Sequence, residues 1–424
     1  MRMRKVARGL LLWLLLLWLL LLPAPGAADA PLTLEDCVAR ALATIPQMAA
    51  ADAALDLADA QRREAAASLW PSVRTDVQYL QEPGYREVIT NRGLSAAQLI
   101  GDYTVYDGGR RLAEVHAAEY AEQARRFGVA AARSEVVFAT TVAFYGLERA
   151  ADQVAALQAS VAELTRYLAV VQALRQSGRA TASDVLRIDL LLRQSRLQLN
   201  AATHGRTEAS FALGALIGTY GRGDLTVSAP RNPPEQAGGG SVANNPTLRA
   251  LEGDRAAAAA ALAAAEAERY PTLRMELTSG FLGTDPPSTL SRYAGASYGG
   301  VLSVPLFEGG AVRARIDEAR ARIRQAGAAA DAARIDLDER LAAAESRFDE
   351  ARQALGLLQQ TLPVAQGSFA LCWARFLGGG TATLLEVADS YGQLLSTRLA
   401  ILDQQFAARQ AAAEVAELTG SGLK

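Results

Sequence analysis

The sequence predicts an α+β membrane protein made of a tandem repeat, each half holding a strand pair and long coiled-coil helices. Three observations carry this expectation. The stretch 110–176 contains no proline over 67 positions, and a helix of that length, rising ~1.5 Å per residue, would reach roughly 100 Å, several times the width of a small domain. Its later part sets Leu147, Ala150, Val154, Leu157, Val161, Leu164, Leu168 and Val171 at alternating spacings of three and four, the heptad period of a coiled coil. The same signal returns in 310–376, again 67 residues, with Leu341, Phe348, Leu355, Leu362, Phe369 and Phe376 at one position and Ala344, Ala351, Leu358, Ala365 and Cys372 at its partner.

The landmarks between these rods recur at a nearly constant distance. Pro46 and Trp70-Pro71 are answered by Pro246 and Tyr270-Pro271 at an offset of 200. Tyr106-Asp107-Gly108-Gly109 is answered by Phe307-Glu308-Gly309-Gly310 at 201, and Gly178-Arg179-Ala180-Thr181 by Gly380-Thr381-Ala382-Thr383 at 202. A period this stable indicates duplication. The chain therefore divides into a first repeat at 29–220, a Gly- and Pro-rich linker at 221–243, a second repeat at 244–420 and a short tail, 421–424.

Each repeat reads as lead-in helix, strand pair, long helix, tip turn and return helix. Thr33 with Asp36 three residues on is a capping-box-like start before Val38 and Leu42, and this helix is expected to continue past Pro46 to Trp70. Asn245-Pro246 opens its counterpart. The strands are expected at 72–81, 97–106, 272–282 and 293–306, the long helices at 110–176 and 310–376, and the return helices at 182–218 and 383–419. A lead-in helix of about 25 residues plus a return helix of about 37 nearly matches one rod of 67. Each repeat thus supplies two columns and the chain four. The first return helix carries two apolar seams, Leu186, Leu190 and Leu197 on one and Ile188, Leu192 and Leu199 on the other. Two seams require neighbours on both sides.

The strands point to a membrane. Val73, Thr75, Val77 and Tyr79 alternate with Arg74, Asp76 and Gln78, and Leu273, Met275 and Leu277 with Arg274, Glu276 and Thr278. Segments of ~9–11 residues with one apolar face suit a membrane barrel. Four strands cannot close one, and open edges are not tolerated in lipid, so a membrane reading demands further copies. The alternative is a soluble periplasmic coiled-coil scaffold whose hairpins are interaction arms.

The N-terminus supports export. A basic start (Arg2, Arg4, Lys5, Arg8), the apolar run Leu10–Leu22 and small residues at Gly26, Ala27 and Ala28 form a secretory leader, 1–28, with cleavage expected between Ala28 and Ala30. Losing those four cations moves the formal net charge from −2 to −6, which argues against nucleic acid as a partner. Cys37 and Cys372 read as small apolar fillers rather than a disulfide. His116 and His204 lie on separate helices without a ligand pattern, so no metal site, cofactor or catalytic residue is expected.

With these residues in view, the chain from Leu32 to Gly420 resembles the TolC-like outer membrane factors of Gram-negative bacteria. The resemblance rests on Trp70-Pro71 and Tyr270-Pro271 at the strand starts and Tyr106-Asp107-Gly108-Gly109 and Pro305-Leu306-Phe307-Glu308-Gly309-Gly310 at the strand exits. The glycine-threonine tip turns, followed by Asp184-Val185-Leu186 and Leu385-Glu386-Val387, complete it. It implies a homotrimer in which four strands per chain make a 12-stranded β-barrel in outer membrane lipid, continuous with a long periplasmic helical barrel of 12 columns. It also implies an exit duct for efflux or type I secretion, coupled by a periplasmic adaptor (membrane fusion protein) to an inner-membrane transporter of the RND or ABC class.

Function is then expected at the tips and junctions. Glu386 and Asp389, three apart on one helical face, would repeat as a ring of carboxylates across a narrow pore, with Asp184 in the matching place of the first repeat. Arg179 and Arg187 flank Asp184 as candidate ties holding the tip shut. Ser177, Gly178, Arg179, Ala180, Gly379, Gly380 and Thr381 are the expected adaptor contacts. Trp70, Pro71, Gly108, Gly109, Tyr270, Pro271, Gly309 and Gly310 mark the strand–helix junctions.

Overall fold

The computed structural model describes residues 31–82, 93–228, 233–284, 293–378 and 382–421. The leader and residues 422–424 of the tail lie outside the described residues. In chain order the elements are α1 (Leu34–Thr44), α2 (Pro46–Ala67), β1 (Ser72–Gln81), β2 (Gly93–Tyr106), α3 (Arg110–Gln176) and α4 (Ala182–Leu216), then α5 (Pro246–Ala267), β3 (Thr272–Thr284), β4 (Tyr293–Ser303), α6 (Ala311–Leu377) and α7 (Leu384–Thr419).

Local chemistry explains where these elements differ from expectation. The lead-in helix does not run through Pro46: Ile45 is extended at φ −73° and ψ 125°, as a residue before proline prefers, and Pro46 starts α2 afresh. Strand β4 stops at Ser303 rather than 306, because Pro305 has no N–H to give a ladder. Strand β2 starts at Gly93 rather than 97, and the return helices are shorter than expected, α4 ending at Leu216 before Gly218, whose φ is +74°. Pro363 lies inside α6 without ending it. Contacts divide the chain into two compact units that cut across the repeats, since α3, α6 and α7 each contribute residues to both.

The first unit comprises 46–136, 237–346 and 414–421 of the described residues. Its sheet is antiparallel in the order β1-β2-β3-β4, so β1 and β4 are open edges. The register sorts side chains cleanly by face. Val73, Gly101, Leu277 and Tyr298 form one cross-strand row, while Arg74, Ile100, Thr278 and Ser297 form the next on the opposite face. On the apolar face Val73, Val77, Leu277 and Tyr298 are 67, 77, 54 and 88% exposed, an apolar surface that water does not stabilise. The other face carries Arg74, paired with Asp102 and, at 3.4 Å, with Asp76. The helical part buries Val242, Leu248, Leu337, Ala344, Val415 and Leu418 together. Asn245 caps α5 by accepting the Thr247 N–H at 2.9 Å, and its Nδ2 donates to the Leu418 carbonyl at 3.1 Å. Glycine permits the closest approach: a Cβ at Gly253 would sit 2.9 Å from the Ala124 Cβ and 3.1 Å from its Cα.

The second unit comprises 31–45, 137–236 and 347–413. Here the heptad seams are filled: Leu147, Leu157, Leu164 and Val171 of α3 and Phe348, Ala351, Leu355 and Phe369 of α6 are buried. Of the two seams of α4, Ile188 and Leu192 are 1 and 2% exposed, whereas Leu186, Leu190 and Leu197 are 69, 55 and 71% exposed. Helix α6 likewise leaves Leu357, Val364 and Leu371 open at heptad spacing. Helix α3 also has an 18-residue window apolar enough, by length and composition, to cross a bilayer, of which 22% is buried. Cys37 is buried and free, its thiol pushed up to about 11 by burial, and Cys372 is free and half-buried.

Gly253→Val should destabilise the protein by about 1–3 kcal/mol, the usual penalty of overpacking, whereas Gly205→Ala, which meets open space, should be tolerated. The yield of folded protein from outer membrane fractions and its melting temperature check both.

Candidate functional site

The described tip is built by backbone rules before any function is asked of it. Helix α3 ends in a Schellman turn: Gly178 takes φ +74°, its N–H meets the Arg175 carbonyl at 3.0 Å, and the Arg179 N–H meets Leu174 at 2.8 Å. Thr181 then caps α4. Its hydroxyl and N–H both donate to the Asp184 carboxylate, at 2.7 and 2.8 Å, while the Asp184 N–H returns to the Thr181 hydroxyl at 3.2 Å. This is a capping box, so the Asp184 carboxylate is engaged in starting a helix.

The other expected tip residues divide by their neighbours. Arg179 is exposed, and its Nη2 donates to the Leu377 carbonyl at 2.7 Å, satisfying an orphan carbonyl at the C-terminus of α6 and joining the first tip turn to the end of that helix. It does not pair with Asp184. Among the described residues Arg187, half-buried, makes no ion pair within the chain. Ser177 and Gly178 are exposed, and Ala180 packs on the apolar cluster below. Gly379, Gly380 and Thr381 lie outside the described residues. Glu386 and Asp389 are exposed on the first turns of α7, without an intrachain ion pair among the described residues, while Leu384, Val387 and Tyr391 turn into the core.

Beneath the tip is a cluster that sequence reasoning missed. Tyr391 of α7 donates its hydroxyl to the Ser160 Oγ of α3 at 2.8 Å and lies 3.2 Å from the Glu163 carboxylate. Ser160 meets Ser195 of α4 at 2.9 Å, and Arg398 stands 3.6 Å from Glu163. Burial holds the Tyr391 phenol well above its usual range. Tyr167, Phe369 and Trp373 pack around it, with Tyr167–Trp373 centroids 4.6 Å apart. These are long-range partners on separate helices, and no local motif announces them.

Two further half-buried carboxylates sit between α3, α6 and α7. Glu148 pairs with Arg409, whose guanidinium lies 4.8 Å from the Tyr145 ring centroid. Burial pushes the Glu148 carboxyl up, and the arginine opposes it. Glu417 is raised by burial too, against the pull of Arg340 at 3.5 Å, and its Oε2 lacks a hydrogen bond.

The first strand–helix junction is held by a pair that the glycine motif did not reveal. Asp107 is buried. Its carboxylate accepts the Gly109 N–H at 3.1 Å, the Arg111 N–H at 3.1 Å and the Arg111 Nε at 2.7 Å. Arg111 reaches on to the carbonyls of Ser68, at 2.8 Å, and Thr104. Gly108 and Gly109 take φ of +69° and +88°, and Gly309 and Gly310 repeat them at +62° and +89°, a conformation favouring glycine. Trp70 and Tyr270, which precede Pro71 and Pro271, are 76 and 53% exposed. The histidines, His116 and His204, are exposed on separate helices. Among the described residues no group of His, Cys, Asp or Glu is arranged to hold a metal.

A two-faced antiparallel sheet with open edges, joined by glycine corners to heptad helices, defines a membrane protein of the strand-and-coiled-coil type. The profile of the outer membrane efflux protein family matches residues 37–219 and again 240–421. The chain belongs to that family, which places it in the outer membrane with a periplasmic portion. It is similar to the outer membrane efflux protein BepC of Brucella suis biovar 1 (strain 1330), 21% identical over 305 residues that cover 71% of this chain and 66% of that one. The matched part is thus just under two thirds of that relative's length. Among solved structures it is similar to CusC (TM-score 0.82, 17% identity, 91% of each chain covered). It is also similar to a membrane protein from Pseudomonas aeruginosa (0.81, 20%, 94 and 98% covered) and to VceC from Vibrio cholerae (0.79, 18%, 91 and 96%). At these identities the likeness concerns the fold.

Glu417→Gln tests the electrostatics. A carboxyl whose folded pKa is raised contributes stability below its unfolded value, and that contribution is lost as pH climbs through the folded one. The variant should therefore melt at higher temperature than the parent at pH 7, and the difference should vanish below about pH 4.5, the ordinary glutamate value. Thermal melts across pH 4–8 read it out.

Proposed function

We propose that this chain is the outer membrane exit duct of a tripartite efflux or type I secretion system. In this reading it works as a homotrimer whose strands close a 12-stranded barrel in outer membrane lipid and whose helices ring a periplasmic tunnel. It receives substrate through a periplasmic adaptor from an inner-membrane RND or ABC transporter. The observation that carries the reading is the pair of uncovered surfaces. The sheet leaves one apolar face and both edges open, and α4 and α6 leave the heptad stripes Leu186–Leu190–Leu197 and Leu357–Val364–Leu371 open. Lipid satisfies the first surface but cannot satisfy strand edges. Further copies of the chain satisfy both the edges and the stripes. A soluble scaffold would leave these surfaces in water, and nothing in the structure favours it.

Within that ring Glu386 and Asp389 form the carboxylate constriction, and Asp184, committed to its capping box, is the weaker member. Arg179 is the tip tie, acting through the Leu377 carbonyl; Arg187 is available to a neighbouring copy. The adaptor docks on the tip surface at Ser177–Ala180 and at Gly379, Gly380 and Thr381. The division into repeats at 29–220 and 244–420 describes how the duct is assembled from one chain.

The test is electrical. Glu386→Ala with Asp389→Ala, in purified channels in planar bilayers, should raise single-channel conductance or abolish block by polyvalent cations; no change in either would remove the constriction. Arg179→Ala breaks one solvent-exposed charge-assisted hydrogen bond, worth up to about 1 kcal/mol, and should raise the open fraction several-fold.

A further inference from the structure

The first repeat's contact with the second supplies a template for the contact that one copy makes with the next, which the single chain leaves empty. An offset of 200 carries β1 onto β3, and one of 201 carries β2 onto β4. Under these offsets Ser72↔Asp102, Val73↔Gly101 and Leu80↔Leu94 become Thr272↔Ser303, Leu273↔Leu302 and Gly280↔Gly295, which are the observed partners. The two hairpins therefore share one register. Between them, β2 pairs with β3 as Ile100↔Thr278, Gly101↔Leu277 and Tyr103↔Met275, and a bulge at Val105 turns Tyr106 into line with Leu273 on the apolar face. At the same joint Gly108 takes φ +69° against the second repeat: a Cβ there would lie 2.6 Å from the Tyr270 Cβ and 3.0 Å from the Ala267 carbonyl. The equivalent glycine, Gly309, has φ +62° but nothing within 4 Å, and the equivalent aromatic, Trp70, is 76% exposed.

We infer that a second copy of this chain docks its β1 edge on β4 in the register of the internal β2–β3 joint, and that Trp70 of the neighbouring copy covers Gly309 as Tyr270 covers Gly108. This rests on the proposed ring of copies and specifies how it closes. Carried over by the same offsets, Val301 faces Gln78 of the neighbouring copy, Leu302 faces Val77, Val304 faces Thr75, and Phe307 faces Val73. Face matching supports the register independently. Leu302 and Val77 both belong to the apolar face of the sheet, as do Gly300 and Tyr79, whereas Ser303 meets Asp76 on the polar face. A slip of one residue would set every apolar side chain of one strand beside polar ones of the other. A slip of two would keep the faces but take Trp70 off Gly309. Pro305 falls where Thr104 stands beside the internal bulge, a position that tolerates a missing donor.

Disulfide trapping decides it, in the full-length protein with Cys37→Ala and Cys372→Ala. Leu302→Cys with Val77→Cys, and separately Val301→Cys with Gln78→Cys, should oxidise in membranes to covalent oligomers that survive boiling in SDS. The slipped pairs Leu302→Cys with Thr75→Cys and Leu302→Cys with Tyr79→Cys should give at least fivefold less. Trp70→Ala should lower the temperature at which the oligomer dissociates in SDS while leaving hairpin crosslinks within one chain, Leu273→Cys with Leu302→Cys, intact. Stronger trapping in a slipped pair, or oligomers with no trapping in any pair, would overturn the register. The absence of oligomers in the parent protein would instead overturn the proposed duct.

Discussion

A peptide group in hydrocarbon has no water to fall back on, and that constraint organises everything else in this chain. A β-sheet in lipid must end either on itself or on another sheet, and this one ends on neither: β1 and β4 are edges, and the face between them is apolar and exposed. In the proposed duct other copies of the chain meet that need, which the strands pose before the helices are considered. The glycine corners belong to the same frame, because a strand that leaves the sheet for a helix must turn sharply, and Gly108–Gly109 and Gly309–Gly310 do so with positive φ.

The helices obey the same logic with a different chemistry. In the proposed ring of columns each helix approaches two neighbours, and the alanine seams would make that possible. Ala344, Ala351 and Ala365 of α6 are buried, and Gly253 admits Ala124 at a distance no other residue would allow. Where a seam meets its partner inside the chain it is filled, as at Ile188 and Leu192; where its partner belongs elsewhere it stays open, as at Leu186, Leu190 and Leu197. Small residues thus set the spacing, and in the proposed assembly the large exposed ones mark the boundary of a single copy.

Much of the fold was legible in the amino-acid order because it is periodic. Heptads, strand alternation and the 200-residue period are local or translational patterns, and Thr33 with Asp36 announces a cap through its spacing alone. Boundaries slipped where a single proline or glycine decided them, as at Ile45 and Ser303. The functional surface was less legible. That Arg179 would seek the Leu377 carbonyl rather than Asp184, or that Tyr391, Ser160 and Ser195 would meet, depends on which turns of separate helices lie level, and side chains 198, 231 and 35 positions apart carry no mark of each other. Asp107 looked like part of a turn motif; its ion pair with Arg111 depends on burial that the sequence does not display.

That ion pair has a consequence for symmetry. Val312 occupies the place in the second repeat that Arg111 holds in the first, and Glu308, where Asp107 would be, is 44% exposed and 3.7 Å from Arg315. A buried clamp braces one corner, while a solvated pair worth little braces the other. Staves that share one pattern are thus unlike at their elbows, so in the proposed assembly stiff and yielding corners would alternate, and any twisting strain would be taken up at every second one.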